Sequence, residues 1–304
     1  MYARSEAANA AQEVTPRVTA IVPTLAERTR REGLLRAIDS LRNAASERLR
    51  ILVVVNGSRF DPETVSLVRD ASDVDVVQIE VGSLPYALEV GRGLVETPYF
   101  CFLDDDDEYL PGAIDLRLRA LEAEPKADLV VTNGQRYDGE HRFVALKPLD
   151  GVSRDPLGSL FEGNWLASCG GLFRSDRVSP EVFTDINAYT EWTWIAFRLA
   201  LEGRRVAVLD TPTFRINETA GSASKSDAYR RAFLELYRRM LQAALPKEVQ
   251  RTVRSRISDV WHDLAVIELG RGNRAKAWRC HLASMRSSHG MRYLAFTRRL
   301  VTQV

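Results

Sequence analysis

Apolar positions in the first half of the chain come in short runs that end in polar punctuation. Residues 17–23 (RVTAIVP) form such a run and stop at a proline, the pattern of a buried strand. Residues 31–44 follow with Leu34, Leu35, Ile38 and Leu41 at helical spacing. Residues 50–55 (RILVVV) predict a second strand, closed by the turn residues Asn56 and Gly57, and Asp61-Pro62-Glu63 predicts a helix start with Asp as N-cap. A third strand is expected over 75–79 and a helix over 86–95. The strand over 99–103 (YFCFL) runs straight into Asp104-Asp105-Asp106-Asp107, and a helix over 111–122 and a strand over 128–132 complete the half. Strands thus alternate with helices about every 25 residues, which predicts an α/β fold with a mostly parallel sheet and helices on both faces. Ligands of such sheets sit beyond the carboxyl ends of the strands. Here three strand ends converge there: Pro23-Thr24, Asn56-Gly57-Ser58 and the four aspartates.

The second half is less regular. Residues 170–174 and 205–209 read as strands, and 191–202 as a helix bearing Trp192, Trp194, Ile195 and Leu199. From Asp227 onward the periodicity is helical, with breaks near Pro246, 270–273 and His289-Gly290. The expected organisation is a disordered leader over 1–16, an α/β domain over 17–225 and a helical extension over 226–304. No internal repeat or low-complexity tract interrupts it.

Composition sharpens this at two points. With 304 residues, 45 % hydrophobic and 27 % charged, the chain is ordinary for a globular protein. The formal net charge of +1 gives no sign of a nucleic-acid binder, but it hides an asymmetry. From Ser226 onward there are 16 Lys/Arg against 6 Asp/Glu, leaving 26 basic and 35 acidic residues before that point. Cys101, Cys169 and Cys280 are few, odd in number and far apart, which predicts reduced thiols in a cytoplasm and no structural zinc. No apolar run reaches the roughly 18 residues that span a bilayer, and the leader, with Glu6 and no long apolar core, does not read as a secretory signal.

The candidate chemistry lies in FCFLDDDDEYLPGAID. Four adjacent carboxylates repel one another and stay ionised at low cost only beside a cation. Mg²⁺ or Mn²⁺ prefers such oxygen ligands and would also bridge to substrate phosphates. A solvated acidic turn capping the next helix is the plainer alternative. An EF-hand is excluded, because Tyr109 stands where that loop needs glycine and a strand precedes it.

The strand followed by LDDDDEYLPGAI resembles the DxD segment of family 2 glycosyltransferases of the GT-A fold. Other landmarks follow in order from about residue 18 to residue 224. IVPTLAER resembles the first nucleotide-contacting loop, and VVVNGS resembles the family's VVDDGS. GSLPYALEVGRGLVETPYFCFL resembles the helix leading into the DxD strand, and TEWTWIAFRLALEGRRVAVLD the segment with the acidic catalytic residue. The resemblance implies that Asp104 contacts the nucleotide ribose and Asp106 holds the metal, with Asp105 and Asp107 supporting either role. It implies further that Pro23, Thr24 and Glu27 line the base pocket and that Glu191 is the general base. An inverting transfer needs one carboxylate to deprotonate the acceptor hydroxyl, and a metal to stabilise the departing diphosphate. Glu191 also opens a predicted helix, where the dipole favours its ionised form.

The departures from the family pattern are informative. Val55 stands where an Asp usually recognises uracil, and Asn56 is the neighbouring candidate for that contact. TFRINETAGSAS resembles the flexible lid, with Asn217 where a metal-binding His is common. The Asn-Arg pair usual before the DxD strand is replaced by Glu89 and Val90. The QxxRW segment and membrane helices of the processive synthases are absent from the sequence. The expected function is therefore transfer of one sugar or a few from a nucleotide-sugar donor to a glycan or lipid-linked acceptor, with Mn²⁺ or Mg²⁺. A sugar nucleotidyltransferase fits less well, since the loop after the first strand has no glycine. A degenerate, non-catalytic binder is the third reading. The basic extension has three uses left open: a solvated face, a peripheral contact with anionic membrane, or a homodimer contact. His141, His262, His281 and His289 show no ligand spacing.

Overall fold

In the computed structural model, residues 15–218 and 226–302 are described. The expected leader falls almost wholly outside them, as does most of the expected lid after Asn217. Strands β1 (Val18–Thr24), β2 (Arg50–Asn56), β3 (Val74–Ile79) and β4 (Tyr99–Phe102) are the four predicted apolar runs. Between them lie α1 (Arg31–Arg42), α2 (Pro62–Arg69) and α3 (Leu84–Gly93). Then come β5 (Glu108–Tyr109), α4 (Ala113–Ala123), β6 (Leu129–Tyr137), β7 (Arg142–Val144), α5 (Pro156–Glu162), β8 (Gly171–Arg174), α6 (Glu191–Leu201) and β9 (Val206–Asn217). The extension is α7 (Asp227–Met240), α8 (Lys247–Gly270), α9 (Arg274–Arg286) and α10 (Phe296–Thr302).

Among the described residues, nine strands form one sheet in the order β3-β2-β1-β4-β8-β6-β9-β5, with β7 on β6. Strands β1 to β4 run parallel to one another and β6 runs parallel to β9, whereas β8 is antiparallel to both β4 and β6, β7 to β6, and β5 to β9. The register pairs Ile21 with Phe102 and Thr24 with Val55, so β1, β2 and β4 end at one edge. Because successive side chains of a strand point to opposite faces, each strand feeds two cores. Ala20, Val22, Val53 and Val55 pack with Leu34, Ile38 and Leu41 of α1 and Ile114 and Leu121 of α4. Ile21, Leu52, Val54, Phe100 and Phe102 face Ala87 and Leu88 of α3 and Ile195 and Leu199 of α6, with Leu236 and Met240 of α7 in the same cluster. A third cluster joins Leu234, Leu264, Ala277, Cys280 and Phe296 within the helical extension. Helix α7 therefore belongs to both the sheet's core and the extension's own.

Strand β9 outruns the prediction of 205–209. Its register with β6 shifts around Asn133 and Gly134, and it continues until β5 pairs with it, Glu108 against Arg215 and Tyr109 against Phe214. Gly134 makes room for this, since a Cβ there would lie 2.2 Å from the buried Phe214 ring. The detour returns Asn217 to the aspartates. No helix among the described residues is long and apolar enough to cross a membrane.

Candidate active site

The fully buried β4 delivers the carboxylates onto a tight loop at the converging edge, where Asp107 N donates to Asp104 O at 3.1 Å. The four side chains have different surroundings. Asp105, 3 % exposed, turns inward. It accepts from Thr24 Oγ1 at 2.5 Å and from Arg30 Nε at 2.9 and 3.0 Å, and Arg30 reaches on to Asp106 at 3.3 Å. Asp107 is also buried, accepting from Asn217 N at 3.0 Å with Cys169 Sγ at 3.8 Å. Asp104 and Asp106 are the half-buried pair.

Loss of hydration pushes the Asp104 carboxyl up to about 7, reinforced by repulsion from Asp106, Asp105 and Glu191 and opposed by a hydrogen bond with Ser168. Burial, with repulsion from Asp104 and Asp106, raises Asp107 as well. The loop thus concentrates more negative charge than Arg30 offsets. These are hard oxygen donors, suited to Mg²⁺ or Mn²⁺. Among the described residues no three His, Cys, Asp or Glu side chains form a metal cage. Mg²⁺ commonly needs none, because one or two carboxylates suffice when substrate phosphates complete its shell. Asn217 donates through Nδ2 to Asp106 O at 2.8 Å and to Glu108 Oε1 at 3.1 Å, which holds it against the carboxylate loop.

Glu191 is the first residue of α6 and 8 % exposed. Its Oε1 accepts from Tyr189 N at 2.9 Å. Burial raises its carboxyl above the usual glutamate value, outweighing the amides of Glu191 and Tyr189. Burial thus opposes the ionised form that a helix N-terminus favours. Trp192 packs edge-on against Phe102, with ring centroids 5.2 Å apart, which docks this helix end against the strand that carries the aspartates.

The base-pocket candidates are more constrained than their sequence suggested. Pro23 is buried within β1, Thr24 is engaged by Asp105, and Asn56 Oδ1 accepts from Ser83 N at 2.6 Å, fixing the entry to α3. Glu27 stands near Arg59, at 3.6 Å. Val55 points into the core at 1 % exposure. Arg30, Ser168 and Tyr189 were not singled out from the sequence. The only signal was Arg30's place in IVPTLAERTR, since its partner lies 75 positions away.

Comparisons with known proteins agree with this geometry. Residues 19–173 match the model of glycosyl transferase family 2. An uncharacterized glycosyltransferase of Rickettsia prowazekii is 28 % identical over 123 residues, 40 % of this chain and 38 % of the relative's length. The fold resembles that of Staphylococcus aureus TarS residues 1–349 in complex with UDP-GlcNAc, with TM-score 0.61 and 13 % identity over 88 % of this chain and 81 % of that one. The UDP complex of the same fragment gives TM-score 0.52 and 14 % identity over 88 % and 90 %. On the match over half its length, with the sheet and carboxylate loop that accompany it, the chain belongs to glycosyl transferase family 2.

Proposed function

We infer that this protein transfers a sugar from a nucleotide-diphosphate donor to a hydroxyl of a carbohydrate or lipid-linked acceptor, with inversion and without processivity. The observation that carries this is the convergence of a buried carboxyl of raised pKa, Glu191, on a carboxylate loop at the end of β4. Glu191 takes the proton of the acceptor hydroxyl, the oxygen bonds to the anomeric carbon, and the anomeric carbon–oxygen bond breaks as the nucleoside diphosphate leaves. Asp104 is assigned to the ribose. Asp105 and Thr24, locked together by Arg30, hold the loop rigid beneath the nucleotide, with Pro23, Glu27 and Asn56 around the base. Asp106, with Asn217 beside it, would hold Mn²⁺ or Mg²⁺, which when bound supplies positive charge against the diphosphate. Because TarS was crystallised with UDP-GlcNAc and with UDP, uridine donors are the first to try. Exposed Lys247, Arg251 and Arg254 along α8 favour a peripheral contact with anionic membrane over a homodimer as the use of the extension.

Titration calorimetry with UDP, GDP and dTDP, each with Mn²⁺ and with EDTA, tests the donor half. Binding that requires Mn²⁺ and weakens in Asp106→Asn is expected. Equal affinity in EDTA would remove the metal, and absence of binding for all three would remove the donor class. Nucleoside diphosphate release from the matching nucleotide sugar then tests turnover.

A further inference from the structure

The loop between the 3-10 turn Pro180–Phe183 and α6 ends at Glu191. Two of its residues lie in the left-handed region although neither is glycine: Asp185 at φ 52° and Tyr189 at φ 68°. Such conformations are costly and persist only where the surroundings over-determine them. At one end the restraint is Glu191 itself, whose Oε1 accepts from Tyr189 N. At the other it comes from α7, and from one side chain.

Arg239 ion-pairs with Asp185, donates through Nη1 to Asn187 Oδ1 at 2.5 Å, and lies with Cζ 4.0 Å from the centroid of the Trp194 ring. Trp194 is one helical turn beyond Glu191. A single guanidinium thus joins the strained loop to the helix that presents the carboxyl. Its own placement is firm: the side chain is 22 % exposed, and Leu236 and Met240 on the same helix are fully buried in the sheet's core. A planar fork that serves two acceptors and stacks on an indole is a task for arginine that lysine cannot reproduce. None of these partners is among the residues assigned to the donor.

We propose that Arg239 is a positioning residue for Glu191: reaching from the helical extension, it pins loop 185–190 against α6 and so fixes the aim of the carboxylate at the acceptor hydroxyl. The proposal rests on the base role inferred above. It gives the extension a part in catalysis without contact with the reacting atoms.

Two measurements on the full chain test it. Hydrogen exchange needs no substrate. In Arg239→Gln, and in Asp185→Asn, which cuts the same tie from a side chain 82 % exposed, the Tyr189 amide should exchange at least about tenfold faster. Amides of β1 and β4 should stay as in the wild type. Unchanged protection of Tyr189 in both variants overturns the proposal. Kinetics then ask whether Arg239 acts through Glu191, using nucleoside diphosphate release from the nucleotide sugar identified by calorimetry. A displaced catalytic group commonly costs up to about 100-fold, so Arg239→Gln should lower kcat by about 10- to 100-fold at near-constant donor KM, and Arg239→Lys should recover little. Added to Glu191→Gln, the same substitution should cause no further loss. Multiplicative losses in the double variant overturn the positioning role, because the two residues would then act separately. If Glu191→Gln keeps wild-type turnover, the base assignment fails instead, while the exchange result still decides the loop contact.

Discussion

Glu191 accepts a backbone N–H from Tyr189 and heads a helix, both of which favour its charge, yet burial makes the carboxyl harder to ionise than usual. A base must be ionised to accept a proton. The acidic limb of kcat/KM should therefore lie above the ordinary glutamate range, with activity falling as pH drops through it, and Glu191→Gln should abolish that limb. The same substitution should cost about 10²–10⁴-fold in kcat and leave donor binding by calorimetry nearly intact. Retention of more than a tenth of wild-type activity would remove Glu191 as the base. Val55 is the second decisive residue. Its position in the family pattern invites replacement by Asp to restore a uracil contact, but its side chain packs in the apolar cluster beside Leu34 and Ile38. Val55→Asp should cost about 2–7 kcal/mol, the penalty for burying a polar group without a partner. Thermal melting should show this, whereas a variant of wild-type stability with tighter UDP binding would restore the base-recognition role.

At the scale of elements, β1, β2 and β4 were legible because strands buried on both faces read as continuous apolar runs, whereas the edge strand β3 shows only a partial one, broken by the exposed Asp75 and Gln78. The helices from Asp227 onward were legible from their 3.6-residue period. Short or half-exposed pieces carry no such signal. Strand β5 has two residues, β7 has three, and β9 runs through the exposed stretch Asp210–Thr211–Pro212 before it turns inward at Thr213. The aspartates and Glu191 could be named in advance because a motif is local. Arg30 and Arg239 could not, since their carboxylate partners are 75 and 54 positions away. Gly33 shows what such contacts demand of an element. It sits in the first turn of α1, and a Cβ there would come within 2.9 Å of the Asp105 carbonyl oxygen. Alanine favours helices by roughly 1 kcal/mol over glycine, but here it must push α1 off the carboxylate loop. Gly33→Ala should lower stability by about 1–3 kcal/mol and weaken Mn²⁺-dependent nucleotide binding. Wild-type affinity with raised melting temperature would show that α1 and the loop need not touch.

For the whole molecule, the helical extension is continuous with the sheet's core through α7. Met240 is fully buried in the cluster that holds Phe100 and Phe102. Met240→Ala should cost about 2–5 kcal/mol in a single denaturant transition, and two separate transitions would show the extension to be an independent unit. The surplus of basic residues is partly spent within the fold: Arg230 and Arg271 pair with Asp227, Arg256 and Arg292 with Asp259, and Arg239 with Asp185. Co-sedimentation with vesicles should therefore show salt-sensitive binding to anionic lipid that depends on Arg251 and Arg254. Equal partition onto neutral vesicles would remove the electrostatic contact.

The tie from Arg239 back to the loop before Glu191 joins parts of the chain that are synthesised at different times. A ribosome adds about 5–20 residues per second, so several seconds separate the addition of Glu191 from that of Arg239. During that interval the nascent chain already carries every aspartate of the loop, while the apolar surface that Leu236 and Met240 will cover stays open to solvent. A chain cut short before α7 would hold the full set of reacting groups and a loose grip on their orientation.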